Sequence, residues 1–152
     1  SYFNKMGIKI LEFPVKKDMT DAELAIMHAV DKGCDLIVLI GALGSRADHS
    51  LANVMLLKKM LDIGVKGIIV DENNEITLIN DRIVLEGDSY TNVSLIPITE
   101  KVEGVTTDGL YYPLRNATIE MGSTWGISNK LIRDRAEVSI TSGLMLVIKS
   151  RD

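Results

Sequence analysis

The sequence is poor in the residues that staple, ligate and anchor a fold. It holds one cysteine, Cys34, among 152 residues, so no internal disulfide can form and a reducing cytoplasm is the expected compartment. Its two histidines, His28 and His49, show no zinc-ligand spacing, and His28 falls inside a helical pattern. No apolar run approaches the roughly 18–20 residues that a membrane span needs. No stretch has the order of charge, apolar run and small residues that marks a signal peptide. Basic residues are also in deficit: 17 Lys and Arg against 21 Asp and Glu give a net charge of −4. That balance counts against nucleic-acid binding, which needs a concentrated basic face. A phosphorylated ligand stays admissible, because one arginine or one bound metal reverses the sign within a site. Repeats, low-complexity segments and long linkers are missing too, so two parts of such a chain would dock tightly.

What is there suits an ordinary globular protein: 46% hydrophobic and 25% charged residues, enough to bury one core or two small ones. The first part is organised around residues 16–57. Asp35–Ala42 (DLIVLIGA) is a short apolar run with β-branched residues and predicts a fully buried strand, with helical patterns on both sides. Strand–helix alternation implies a parallel sheet, which binds ligands beyond the carboxyl ends of its strands. Two polar clusters, Asp18/Thr20/Asp21 and Gly41/Gly44/Arg46/Asp48/His49, each follow a strand-like segment and precede a helix. Both are expected on that rim. Upstream, Ile8–Val15 predicts a first strand ending at Pro14. Ser1 runs almost directly into it, as in a chain cut inside a larger α/β domain.

The helix over Asp21–Lys32 opens on a capping box, Thr20 to Glu23, and closes at Gly33. Its inward residues are Leu24, Met27 and Val30. A second helix, from about Ser50 to Asp62, carries an apolar face through Leu51, Val54, Met55, Leu57 and Leu61, and stops at Gly64. Met55 and Met60 read as core filler. Asp18 and Asp21 at a helix start suit the helix dipole, and equally suit Mg²⁺ bound to a polyphosphate. Arg46 offers a planar fork for phosphate oxygens, or an ordinary surface ion pair with Asp48. Gly41 and Gly44 permit positive φ or close backbone approach. His49 reads as a capping or packing residue, and Asn53 faces either solvent or the rim.

From Lys66 the pattern changes. KGIIV and EITLI flank a turn at Glu72–Glu75. RIVLEGD, NVSLIPIT, GVTTDGL, ATIEMG and AEVSITSGLMLVIKS follow as β-rich runs at the spacing of an antiparallel sandwich or barrel. The expected fold class is therefore an α/β part at residues 1–81, followed by an all-β part at residues 82–152.

KKDMTDAELA, GALGSRADHSLANVMLL, SLIPIT, GVTTDGLYYPL, GISN and VSITSGLMLVIKSRD, in that order and over nearly the whole chain, resemble the bacterial thiamine pyrophosphokinases. The family pattern also has Asp-Gly-Gly and Gly-Asp-Phe-Asp-Ser segments ahead of the part matched. Neither occurs here, so the resemblance is to a member lacking the N-terminal part of its catalytic domain. The resemblance implies transfer of a pyrophosphoryl group from ATP to the hydroxyl of thiamine, giving thiamine diphosphate and AMP, with Mg²⁺. It implies a homodimer with an α/β catalytic domain and a thiamine-binding β-sandwich. It places Asp21 at the metal, and Asp18, Thr20, Gly41, Gly44 and Arg46 at the ATP polyphosphate. Asp21, Arg46 and Asp48 become the catalytic set, with Asp48 orienting or deprotonating the hydroxyl. Tyr112, Trp125, Ser128 and Asn129 become the thiamine-binding set: a ring faces the cationic thiazolium, while Ser128 and Asn129 bond the aminopyrimidine. The other reading of the same residues is a non-catalytic fragment that binds thiamine or thiamine diphosphate and dimerises. For Tyr111, Tyr112 and Trp125 the alternative is cover for a sandwich edge, and for Ser128 and Asn129 a polar turn after Gly126.

Overall fold

The computed structural model describes residues 18–87 and 92–151. The strand expected at Ile8–Val15 lies outside the described residues. Within them the order is α1 (Asp21–Asp31), β1 (Leu36–Ile40), α2 (Ala47–Asp62), β2 (Lys66–Val70), β3 (Asn74–Ile79), β4 (Arg82–Glu86), β5 (Asn92–Pro97), β6 (Lys101–Asp108), β7 (Ala117–Glu120), β8 (Asn129–Lys130), β9 (Arg135–Ser139) and β10 (Met145–Ser150). The strands form two sheets, a mixed one ordered β1-β2-β3-β10-β5-β8 and an antiparallel one ordered β4-β9-β6-β7. The expected class, α/β followed by an antiparallel sandwich, is the one observed.

Local signals set the first part. Thr20 caps α1, its Oγ accepting the Glu23 N–H at 3.3 Å, while the Glu23 carboxylate leaves the cap and takes the Lys59 ammonium of α2 at 2.5 Å. Half of the expected capping box therefore forms, and the other half becomes a bridge between helices. Gly33 and Gly64 end the two helices with backbone bonds to Val30 and Leu61. Ile26 is the residue of α1 most deeply buried, and Leu57 and Met60 those of α2. Met55 stands exposed instead of filling the core. β1 pairs with β2 in parallel, and β2 turns back into antiparallel β3.

The strand at Asp35–Ala42 is not fully buried. Ile37 and Leu39 face the helices, while Leu36, Val38 and Ile40 are 49%, 46% and 82% exposed. The reason is positional: β1 is an edge strand among the described residues, and α1 and α2 cover one face only. Hydrophobicity specified a strand with two apolar faces, and the described residues supply cover for one.

The mixed sheet runs from the helical part into the sandwich. β10, the last strand of the chain, lies between β3 and β5 with full antiparallel registers on both sides. Its alternate residues enter separate cores: Met145 and Val147 join the sandwich core, while Leu146 and Ile148 pack with the helices. Both faces of β10 are thus buried, which explains the uninterrupted apolar run GLMLVI. Beside it, Arg151 donates from its guanidinium to the Glu72 carbonyl at 2.8 Å and fastens the β2–β3 turn.

Candidate functional site

The Gly41–Arg46 connection leaves the carboxyl end of β1 and enters α2. Gly41 adopts φ +73°, the left-handed conformation its residue type allows. Two residues of α2 hold the loop. Ser50 Oγ accepts the Gly44 N–H at 3.0 Å and donates to the Gly44 carbonyl at 3.1 Å. Asn53 donates to the Ala42 carbonyl at 2.8 Å, so this residue faces the rim. α2 has no side-chain cap at its start. Its first turn carries Asp48, which meets Arg46 as a fork: Nε to Oδ1 at 3.2 Å and Nη2 to Oδ2 at 2.6 Å. The hydrogen-bonded guanidinium, helped by the His49 backbone, holds the Asp48 carboxyl below its ordinary 3.8. Arg46 thus shows the planar bidentate geometry that matches phosphate as well as carboxylate. While it is so paired, Asp48 is a weakened base.

Asp18, Thr20 and Asp21 stand exposed at the start of α1. The Glu23–Lys59 pair sets that first turn of α1 beside the last turn of α2. Lys59 lies eleven positions, about 16 Å of helix, from Asp48, so the Glu23–Lys59 pair ties the start of α1 to the end of α2 away from Asp48, and not to the shared rim expected of the two clusters. Among the described residues no group of three or more His, Cys, Asp or Glu side chains converges on one point.

In the sandwich, two neighbouring segments are laced together. Residues 109–116 join β6 to β7, and residues 121–134 run from β7 through β8 to β9. The Tyr111 N–H donates to the Lys130 carbonyl, and the Ile132 N–H to the Gly109 carbonyl. Leu110 and Leu131 form an isolated bridge. Asn129 is 6% exposed. Its Oδ1 accepts the Tyr112 N–H at 2.9 Å and the Lys130 N–H at 2.9 Å, and its Nδ2 donates to the Tyr112 carbonyl at 2.7 Å. The rings of Tyr111 and Tyr112 meet edge to face, centroids 4.8 Å apart. Tyr112 and Trp125 remain 63% and 62% exposed, so both present aromatic surface outward. Gly126 packs on β5, where an added Cβ would stand 2.5 Å from the Leu95 carbonyl oxygen. Ser128 takes φ +58°, a conformation costly for a residue with a side chain, and its N–H reaches Ser94 Oγ at 3.1 Å.

Direct hydrogen bonds therefore join Arg46 to Asp48 and Tyr112 to Asn129 among the predicted residues. Ser50, which clamps the first loop, was missed, since a serine on a helix gives no signal until its partner six residues back is seen. A cleft of about 390 Å³, lined by Leu61, Lys66, Leu78, Asn80 and Arg82 among others, contains none of these groups.

An α/β layer with an arginine fork on a clamped glycine loop shares one sheet with a sandwich that displays aromatic rings: this is a two-part protein with a separate polar face in each part. The thiamin pyrophosphokinase catalytic domain matches residues 1–69, and the thiamin pyrophosphokinase vitamin B1 binding domain matches residues 80–145. The chain is 35% identical to the thiamine pyrophosphokinase of Bacillus subtilis, over 92% of its own length and 66% of that protein's. It is 25% identical to thiamin pyrophosphokinase 1 of Caenorhabditis elegans, over 93% and 62%. The crystal structure of the Bacillus subtilis protein superposes with a TM-score of 0.87 at 37% identity, covering 90% of this chain and 65% of that one. That of the Geobacillus thermodenitrificans protein gives 0.83 at 39%, covering 92% and 65%. The chain belongs to the thiamine pyrophosphokinase family, and it spans just under two thirds of the length of these relatives.

Proposed function

We propose that this chain acts as a thiamine pyrophosphokinase, moving a pyrophosphoryl group from ATP to the hydroxyl of thiamine. The observation that carries the reading is that both family domains match in order, and each spans one of the two clamped loops. In the reaction the thiamine hydroxyl oxygen bonds to the β-phosphorus. The bond from that phosphorus to the α–β bridging oxygen breaks, AMP leaves with the electron pair, and the hydroxyl proton passes to a base. Little covalent work falls to the protein, so positioning and charge neutralisation dominate.

Arg46 is the residue we assign to the polyphosphate, with the backbone of Gly41 and Gly44 beside it. The incoming phosphate oxygens replace Asp48 on the guanidinium fork. Asp48, released, regains basicity and orients or accepts the proton from the hydroxyl. Mg²⁺ is the proposed metal, and Asp21 its protein ligand, with Asp18 and Thr20 on the polyphosphate side. Mg²⁺ commonly takes one or two carboxylates and completes its shell with water and substrate phosphates, which suits exposed Asp18 and Asp21 better than a three-residue cage would. When bound, the ion would supply neutralising charge to the phosphates. Tyr112 and Trp125 offer faces to the thiazolium cation, and Ser128 is assigned to the aminopyrimidine. Residues 1–81 form the proposed catalytic region and residues 82–152 the thiamine-binding region. A homodimer, with thiamine near its interface, and a cytoplasmic location complete the proposal; no helix among the described residues is long and apolar enough to cross a membrane.

The test is AMP release from ATP and Mg²⁺ by this chain with and without thiamine. Thiamine-dependent AMP formation that disappears in Asp21→Ala and Arg46→Ala is expected. Release independent of thiamine, or unaffected by both substitutions, would overturn the assignment.

A further inference from the structure

We infer that Asn129 is a positioning residue that aims the Tyr112 ring and does not itself touch the ligand, an inference that rests, for the ligand's identity, on the function proposed above. The geometry leaves its amide little else to do. Both lone-pair directions of Oδ1 are occupied, by the N–H groups of Tyr112 and Lys130, and one of the two Nδ2 protons goes to the Tyr112 carbonyl. The Asn129 side chain is buried and its three bonds are part-buried, so water competes less for them and an unmade bond is costly.

The effect on Tyr112 follows from where the bonds fall. Its N–H and C=O lie on either side of its φ and ψ. Holding both against one rigid, planar amide fixes those two torsions together, and with them the direction of the Cα–Cβ bond. The ring leaves the surface from that fixed base and rests edge-on against Tyr111, whose own N–H is bonded to the Lys130 carbonyl. Asn129 thereby fixes the Cα–Cβ direction of a mostly exposed aromatic residue, and the edge contact with Tyr111 limits where its ring can turn. Aspartate cannot replace it without loss: it keeps both acceptor bonds but sets a carboxylate oxygen against the Tyr112 carbonyl.

The first arm of the test needs no ligand. Amide hydrogen exchange on the unaltered chain, Asn129→Ala and Asn129→Asp should show Tyr112 and Lys130 exchanging at least tenfold faster in the alanine variant. Leu95 and Val138 in the core should keep their protection. The aspartate variant should retain protection at those two amides, which guards against a folding defect in the alanine variant. Unchanged exchange at Tyr112 in Asn129→Ala would overturn the inference.

The second arm is thiamine titration of Tyr112→Ala, Asn129→Ala and the double variant. If Asn129 acts through Tyr112, the double variant binds no more weakly than Tyr112→Ala alone. If the two losses multiply, Asn129 contacts the ligand directly and the inference fails. Absence of thiamine binding by the unaltered chain would overturn the proposed function, and the exchange arm would still decide the clamp.

Discussion

Between β1 and α2, the Gly41–Arg46 loop is held by Ser50 and Asn53; between β6 and β7, the segment bearing Tyr112 is held by Asn129. Each clamp grips both the N–H and the C=O of one loop residue, Gly44 in the first case and Tyr112 in the second. Their surroundings differ. The Ser50–Gly44 bonds and the Arg46–Asp48 fork lie at the surface, the latter with side chains 69% and 66% exposed. Asn129 is buried. Exposed bonds exchange readily with water or a ligand and contribute little to stability, whereas buried ones resist opening. The exchange of carboxylate for phosphate proposed for the Arg46 guanidinium is suited by the first setting. An aromatic face that must keep one direction is suited by the second.

The contrast can be broken at its strongest point first. Gly126→Ala places a methyl group against the Leu95 backbone, where neither side yields, and should destabilise by about 3 kcal/mol, read as a lower midpoint in urea unfolding. Asn129→Ala strands two N–H groups and one carbonyl, and should cost about 2 kcal/mol in the same measurement. Arg46→Ala should leave the urea midpoint unchanged yet weaken ATP binding about tenfold, since a charge-assisted bidentate contact is lost. Ser50→Ala should cost about 1 kcal/mol or less, with faster exchange confined to Gly44 and its neighbours. An equal cost for Ser50→Ala and Asn129→Ala would remove the contrast.

The smallest effect concerns acid. Burial acts to raise the Asp71 carboxyl, but bonds from the Asn73 backbone and from the side chain and backbone of Asn74 outweigh it and hold the group below 3.8. Its contribution to the β2–β3 turn is therefore complete above the unfolded value and lost as pH falls through the lower folded one. Asp71→Asn should flatten that acid limb of the stability curve.

Much of the helical part was legible because its signals are local. Thr20 capping, the stop glycines at 33 and 64, the Val54, Leu57 and Leu61 part of the α2 face and the turn before Glu75 all act within a few residues, whereas Leu51 and Met55, read onto the same face, stand exposed. The pairing of β10 between β3 and β5 was not, because it joins Met145 to Ile79 and Pro97 across separations no local pattern encodes. The two-residue β8 is too short to leave a period. Glu23 read as a capping residue because the sequence shows its neighbours and hides Lys59, 36 positions away. Ile40 read as buried because side-chain type reports a preference for burial, and only the fold says what provides it. In the candidate site, residue types pointed to Arg46 and Asp48, and the family resemblance pointed to Tyr112. The Arg46–Asp48 pair was among the readings the sequence allowed; what stayed hidden is its two-bond geometry and that Asn129 turns inward onto Tyr112.

The most direct measurement is calorimetric titration of thiamine into the unaltered chain and into Tyr112→Ala. The account predicts saturable binding to the first and at least tenfold weaker binding to the second, with both proteins unfolding at the same urea concentration. Equal affinity for the two would contradict it, because the ring held by the buried clamp would then have no part in holding the vitamin.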